Sequence, residues 1–413
     1  MIKIKENGEM VGMKINVRDF KNIDLFHPYI LIMAFVAFIA ISLPILYFSN
    51  ELPRPSFQVY YFIIMGIVFF VFGVLFPKII GMISKRFKNK MIYISNIKSR
   101  RLGHLAIFSR YSLLEILLVS IVLIGIILQI INFIMLGGIP LLSGVLKAHA
   151  ATKIWLFSFI AFIIGINILL AKYNRKSHYI FLLIGLGLFA LTGYRTTPIA
   201  ILLSVFITLY YTRNIKIKYQ LFFIAVIAIL LLIIGFIAVQ SIEWQQWRLN
   251  ALELLSYRAG FTLNILDRAT YLAGSTNGSL FYYTLTGFFK SVDPRVLVGE
   301  VVLNEHHSIT STILGPAILD FGGIGLAVQM FLIGLILKLL YFIQKHVKGI
   351  ATAFYGIILA QTFIWIETGP TDLVVWLFYF LGIITIVYYF VIIDNNANHS
   401  KFKDKIDNSM DGE

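Results

Sequence analysis

The sequence predicts an all-α, polytopic integral membrane protein of about ten transmembrane segments, and three observations lead to this prediction. Of the 413 residues, 59% are hydrophobic and only 13% are charged, which is more apolar surface than a soluble protein buries. The hydrophobic residues come in runs of about twenty, the length that crosses roughly 30 Å of hydrocarbon. The net charge of +15 fits basic residues kept on the cytoplasmic side, so it requires no nucleic-acid partner.

Apolar runs mark the predicted segments in chain order. They lie near 29–49, 58–80, 113–136, 154–171, 179–211, 220–240, 312–342, 350–366 and 374–393. The connection at 81–112 is rich in lysine and arginine and has no acidic residue, so we expect it to be cytoplasmic. Two segments precede it, which places the N-terminal tail, residues 1–28, in the cytoplasm. No small-residue cleavage site follows the first run, so we expect that run to be retained.

The run at 179–211 is too long for one upright span and too short for two full ones. Basic residues flank it at 172–176 and at 213–218. If both flanks are cytoplasmic, the chain between them must enter the membrane and return. At ~1.5 Å per residue, a helix of this length reaches about 50 Å. We therefore expect a broken pair of half-length helices.

The letters LTGYRTTP within this run carry the signals of the break. Gly193 suits a left-handed helix end, Thr197 an N-cap and Pro198 the first helical position. Arg195 would then lie beside a helix N-terminus, where free N–H groups, a positive dipole end and a guanidinium fit phosphate. Thr196 and Thr197 are further candidate ligands there. The alternative is that Arg195 only snorkels to the external interface.

The segment at 241–311 is predicted to be external and to hold a catalytic loop. Its basic side chains are candidates for binding a glycan or a diphosphate, namely Arg248, Arg258, Arg268 and Arg295. On one straight helix, successive arginines spaced by ten residues are rotated by about 80° around the helix axis, so they cannot all face one ligand. Arg258 is expected to point inward. For each of these charges, a solvated surface position is the alternative.

His306 and His307 lie just before the next apolar run and are candidates for a general base. A histidine near neutral pH can take a proton from an attacking hydroxyl, although a surface pair without a role is the alternative. Adjacent histidines without a third ligand do not predict a zinc site. Asp320, inside the next run, is expected either to cap a helix break or to pair with an external arginine; we include it among the substrate-binding candidates.

Several kinds of chemistry are excluded by what the sequence lacks. It has no cysteine, no glycine-rich phosphate loop ending in Lys-Ser/Thr, no nucleophile-elbow serine and no His-Glu-x-x-His pattern. The predicted cytoplasmic parts, including the tail at 394–413, are too small for a nucleotide-binding domain. We therefore expect a single membrane domain over 29–393 that acts at its external side without ATP, and we expect no cofactor.

Three stretches resemble the oligosaccharide repeat unit polymerases, the O-antigen polymerase (Wzy-type) family. They are FIMLGGIPLLSG at 133–144, LTGYRTTPIAILLSVF at 191–206 and STILGPAILDFGGIG at 311–325. The resemblance implies a multi-pass protein of the plasma or inner membrane and an inverting, metal-independent glycosyl transfer. In that reaction, a glycan on a polyprenyl diphosphate passes to a sugar hydroxyl of a lipid-linked repeat unit.

The resemblance also implies roles for residues and partners. Arg195 matches the family's intramembrane arginine and Arg258 an arginine of the external loop, and both would neutralise the departing diphosphate. His306 or His307 would take the place of a histidine of the related O-antigen ligases, although Ser308 stands where their asparagine follows. The implied partners are lipid-linked oligosaccharides, membrane lipids, a flippase and a chain-length regulator.

Two other functions stay open at this point. A transporter or flippase of lipid-linked oligosaccharides could also use broken helices and a buried charge. An O-antigen-type ligase would perform the same chemistry on a different acceptor. The long external segment with its basic groups and histidines favours the polymerase, because a transporter would not need it.

Overall fold

The computed structural model describes residues 2–6, 9–13, 24–49, 51–83, 112–213, 225–226, 229, 251–290 and 292–410, and most of these are helical. The helices are α1 (Ile30–Phe48), α2 (Phe57–Ile83), α3 (Leu113–Leu136), α4 (Gly144–Ala148), α5 (Lys153–Lys172), α6 (Lys176–Ala190), α7 (Thr196–Thr212), α8 (Ala251–Tyr271), α9 (Ser279–Lys290), α10 (Pro294–Leu303), α11 (Gly315–Val347), α12 (Ile350–Thr368) and α13 (Leu373–Met410). Near the N-terminus, strands β1 (Ile2–Glu6) and β2 (Glu9–Met13) form an antiparallel hairpin.

Seven helices of the described residues are long and apolar enough to cross a membrane, which confirms the polytopic helical class. They are α1, α2, α3, α5, α11, α12 and the part of α13 up to Val391. The predicted span at 220–240 and most of the basic connection at 81–112 lie outside the described residues, so the count of about ten segments stays a prediction. Helix α13 continues through most of the predicted C-terminal tail.

The run at 179–211 forms two helices, α6 of 15 residues and α7 of 17, and they meet at a short break. Gly193 in that break has a φ of +75°, the left-handed conformation that the sequence predicts. The predicted N-cap is wrong, because Arg195 already has helical torsions and α7 begins at Thr196. Thr197 therefore lies inside the first turn, where it is buried.

Close helix contacts hold the bundle together at glycines. A Cβ built on Gly73 of α2 would lie 2.1 Å from the carbonyl oxygen of Phe331 on α11. One built on Gly334 of α11 would lie 2.4 Å from the carbonyl oxygen of Phe70 on α2. Because lipid tails are as apolar as leucine, such close backbone packing is a main source of helix association in membranes.

Buried hydrogen bonds fix α7 against α5. The Asn167 amide nitrogen donates to the Ser204 hydroxyl at 2.9 Å, and the Thr208 hydroxyl donates to the Asn167 carbonyl oxygen at 2.8 Å. All three side chains are buried. Leaving such groups unpaired in hydrocarbon is costly, so the network sets the height of α7 and thereby the position of Arg195 at its start.

Helix α8 packs on α1 on both sides of Arg258. The Ser256 hydroxyl donates to the Ile41 carbonyl at 2.7 Å and accepts from the Ile45 N–H at 3.3 Å. A Cβ on Gly260 would meet the Ile45 side chain at 2.5 Å, so the two helices touch here. These contacts fix the segment of α8 from which Arg258 projects.

Asp320 caps a helix. Its carboxylate accepts from the backbone N–H groups of Leu280 at 3.0 Å and Phe281 at 2.7 Å, and from the Thr276 hydroxyl at 2.6 Å. The carboxylate is buried, and both of its oxygens are occupied at the start of α9. The helix it caps is a neighbouring one rather than its own. Of the two roles predicted for Asp320, a helix cap or a partner of an external arginine, the structure shows a helix cap.

Candidate active site

One end of the bundle brings together charged side chains from distant parts of the chain. The Arg258 Nε lies 3.1 Å from Glu367 Oε1, and an Arg195 Nη2 donates to the same oxygen. Arg195 stands at the start of α7, Arg258 on α8 and Glu367 in the last turn of α12. One carboxylate oxygen thus binds both Arg195 and Arg258, the two arginines that the family resemblance matched.

The site is accessible from outside the protein. The side chain of Arg258 is 46% exposed, and those of Arg195 and Glu367 are 22% and 26% exposed. The pairing gives Arg195 a defined partner, which snorkelling alone would not require. Sequence reasoning missed Glu367, because an acidic residue at the end of an apolar run looks like an ordinary loop charge.

Lys147 on α4 is a third cation of this site. Its side chain packs against the break, where a Cβ on Gly193 would lie 3.3 Å from the Lys147 Cδ. The Tyr194 hydroxyl donates to the Lys147 carbonyl at 2.9 Å. Burial lowers the pKa of the Lys147 ammonium, and the positive charges of Arg195 and Arg258 lower it further. Lys147 was not among the predicted site residues.

The stretches that carry the family resemblance meet at this end. The Leu141 N–H donates to the Leu191 carbonyl at 2.9 Å, which joins the first stretch to the second. A Cβ on Gly369, two residues after Glu367, would lie 2.7 Å from the Thr312 carbonyl oxygen of the third stretch. The three stretches that resemble the family therefore lie at the same end of the bundle.

The charges at this place favour an anion. Arg195 and Arg258 outnumber the single carboxylate that they share, and the side chain of Lys147 lies beside the same break. The N-terminus of α7 begins here without a side-chain cap, so its first N–H groups add to that charge. Guanidinium groups and a helix N-terminus are the donors that suit phosphate oxygens.

A second charged cluster lies at the start of α10. The Arg295 Nε is 3.0 Å from Asp293 Oδ1, Arg295 Nη2 is 3.1 Å from Asp293 Oδ2, and the Ser308 hydroxyl donates to Oδ2 at 3.1 Å. Burial alone would raise the pKa of Asp293, but Arg295 lowers it below its usual range. Burial works against the positive charge of Arg295, yet Asp372 and Asp293 raise its pKa. The positive charge of Arg295 is therefore balanced by the carboxylate of Asp293.

Asp372, just before α13, was also missed by sequence reasoning. It is partly exposed, and it makes no hydrogen bond or ion pair through its carboxylate with any residue in the described ranges. Burial raises the pKa of Asp372; the charge of Arg295 opposes that shift and the charge of Asp293 adds to it. The charges of Arg295, Asp293 and Asp372 also act on the partly buried phenol of Tyr194, next to Arg195.

The two predicted histidines lie in the segment that follows α10. His306 is 84% exposed, and its Nδ1 lies 2.5 Å from Glu300 Oε1. His307 is exposed as well, and its segment is held by a hydrogen bond from the Ile309 N–H to the Arg295 carbonyl at 3.1 Å. Within the described residues, no hydrogen bond or ion pair joins either imidazole to Glu367.

The remaining predicted ligands are Arg268, Arg248 and Thr196. Arg268 is exposed on α8, and in the part of the chain that the structure describes no ion pair joins it to the cluster. Arg248 lies outside the described residues. Thr196 is partly buried at the first position of α7, beside Arg195.

An apolar bundle with a cationic site at one end defines a multi-pass membrane protein equipped to bind an anionic ligand. The family model described as "Putative O-antigen polymerase" matches residues 24–379. The chain thus belongs to the O-antigen polymerase family, and it is a membrane protein of polysaccharide synthesis.

Two curated relatives come from Methanocaldococcus jannaschii. The chain is 27% identical to the uncharacterized protein MJ0419 over 278 residues, which cover 65% of this chain and 75% of the relative. It is 27% identical to the uncharacterized protein MJ0420 over 363 residues, which cover 81% of this chain and 87% of the relative. No solved structure matches the chain.

Proposed function

We propose that the protein is a membrane glycosyltransferase that polymerises lipid-diphosphate-linked oligosaccharide repeat units into a surface polysaccharide. The observation that carries the proposal is the convergence of Arg195 and Arg258 on Glu367, beside Lys147, in a member of the O-antigen polymerase family. A diphosphate needs such a set of cations when it leaves as an anion.

The reaction is a single displacement at the anomeric carbon of the donor glycan. The acceptor hydroxyl oxygen forms the new bond to this carbon, and the bond to the diphosphate oxygen breaks with its electron pair going to that oxygen. The guanidinium groups and the start of α7 stabilise the negative charge that develops there. One displacement inverts the configuration, and the activated donor makes ATP and metal unnecessary.

The proposed partners follow from this chemistry. The substrates are lipid-linked oligosaccharides whose polyprenyl chains lie among the membrane lipids, so they reach the site from the bilayer. A flippase would deliver the repeat units, and a chain-length regulator would act on the growing glycan. The site is proposed to lie on the external side of the cell membrane, with both termini in the cytoplasm.

The test is an assay of the purified full-length protein in lipid nanodiscs with a defined polyprenyl-diphosphate repeat unit. We expect a glycan ladder in the presence of EDTA and without ATP. A single product on a different acceptor would favour the ligase function. Absence of any transfer would contradict the proposal and favour transport.

The first prediction concerns Arg195. Arg195→Ala should reduce ladder formation by about 10²- to 10³-fold, since it removes a donor to the leaving group. Arg195→Lys should also be impaired, because an ammonium lacks the planar fork of the guanidinium. Arg54→Ala removes an exposed arginine near the same end and serves as the control. Full activity of Arg195→Ala in a folded protein would rule out this site.

A further inference from the structure

The end of the bundle that holds Glu367, here called the site end, carries several acidic side chains that differ in their hydrogen-bond and ion-pair partners. Glu367 binds two arginines, Asp293 binds Arg295 and Ser308, and Asp320 caps α9. The carboxylate of Asp372 has no such partner among the described residues, although it lies at the same end, five residues after Glu367 in the chain. A partly buried carboxylate without a protein donor is available to a substrate.

Asp372 interacts electrostatically with residues of the second cluster and with Tyr194, the neighbour of Arg195. The charged and titratable groups that face it are Arg295 and Asp293, from the start of α10, and Tyr194, from the break between α6 and α7. Tyr194 is followed directly by Arg195, and its hydroxyl binds the Lys147 carbonyl. Asp372 also follows Glu367 by only five residues, so we expect a glycan next to the diphosphate site to be within reach of its carboxylate.

We propose that Asp372 is the general base that accepts the proton of the acceptor hydroxyl. This inference rests on the proposed polymerase function. As the hydroxyl oxygen bonds to the anomeric carbon, its O–H bond breaks and the proton goes to a carboxylate oxygen of Asp372. The electron pair of the breaking glycosidic bond goes to the diphosphate, and Asp372 later releases the proton to water.

The environment suits a base of this kind. Burial keeps the pKa of Asp372 above that of an ordinary aspartate, and a carboxylate with a raised pKa accepts a proton more readily. Glu367 is less suitable, because one of its oxygens already binds two arginines. His306 is bound to Glu300 on an exposed surface.

The experiment measures kcat and KM of ladder formation against pH for the wild type, Asp372→Asn, Asp372→Glu and His306→Ala/His307→Ala. Asp372→Asn should lower kcat by about 10²- to 10⁴-fold, the contribution typical of general bases. The Kd for the lipid-linked donor should change less than about threefold, because the diphosphate site is intact. Asp372→Glu should recover part of the rate, and Glu51→Gln, at an exposed carboxylate, should match the wild type.

The pH profile separates a base from a structural residue. The kcat/KM of the wild type should rise with pH as Asp372 loses its proton and then level off, and this rise should be absent in Asp372→Asn. Unchanged kcat and an unchanged profile in Asp372→Asn would overturn the inference and leave the polymerase function intact. The inference would also be overturned if the His306→Ala/His307→Ala variant lost both its rate and the pH dependence of kcat/KM. A wild type that forms no ladder would overturn the proposed function itself.

Discussion

Glu367 is the residue on which the geometry of the site depends. It is 172 residues from Arg195 and 109 from Arg258 in the chain, yet its carboxylate binds both. A carboxylate near a helix C-terminus is unfavourable with respect to the helix dipole, so the arginines compensate for its position. Local sequence patterns contain no trace of such a long-range pairing, which is why Arg195 and Arg258 could be predicted but Glu367 could not.

Replacing Glu367 should destabilise the site end. Glu367→Gln removes the negative charge that Arg195 and Arg258 share, and we expect a loss of ~1 kcal/mol in the free energy of unfolding. The loss is modest because Arg258 is 46% exposed and water screens its charge. Thermal unfolding in detergent at low salt measures it, with the exposed Glu305→Gln as control. Inorganic pyrophosphate should restore part of the stability, and equal stability of both variants would contradict the prediction.

At the scale of elements, the break between α6 and α7 was predictable because its signals are local. Basic residues at both ends of an apolar run set its topology, and the glycine of LTGYRTTP set the place of the turn. The exact start of α7 was not predictable. The torsions of Arg195 are helical, and its side chain is held by Glu367 on another helix.

Gly193→Ala tests this break. The substitution places a Cβ at a φ of +75° and 3.3 Å from the Lys147 side chain, so we expect a loss of ~1 kcal/mol in stability and a lower rate of ladder formation. Gly187→Ala is the matched control, because a Cβ there meets nothing within 4 Å. Equal effects of the two variants on stability and rate would mean that the break tolerates a side chain.

The cap of α9 gives a second prediction for an element. Asp320→Ala removes the acceptor of two backbone N–H groups, and we expect it to lower the stability by about 1–2 kcal/mol. The rate per folded molecule should stay close to that of the wild type, because Asp320 is buried in a structural contact. Unfolding curves and the ladder assay on the same preparation check both points. A lost rate with unchanged stability would instead assign Asp320 to the substrate.

At the scale of the whole molecule, hydropathy suffices to predict a helical bundle. It does not predict which helices touch. The contacts of α2 with α11 and of α5 with α7 depend on glycines and single polar side chains among many similar ones. The composition of the site could not be predicted from hydropathy either, because Lys147, Arg195, Arg258 and Glu367 come from four segments that only the packing brings together.

The absence of cysteine from the sequence makes the orientation of the bundle directly testable. Ser275→Cys introduces an exposed thiol at the site end, and Lys348→Cys introduces one after α11 at the opposite end. If the site end is external, a membrane-impermeant maleimide should label Ser275→Cys in intact cells and Lys348→Cys only after permeabilisation. The reverse pattern would place the arginine site in the cytoplasm.

The pairing of Glu367 with both arginines has a consequence for turnover. A diphosphate entering the site must compete with a carboxylate that is covalently part of the protein and therefore always present at high effective concentration. In the proposed reaction, a diphosphate would displace Glu367 from the arginines, and Glu367 would return to them when the spent carrier leaves. In a polymerase that repeats its reaction many times, such an internal competitor would weaken product inhibition and speed the clearing of the site.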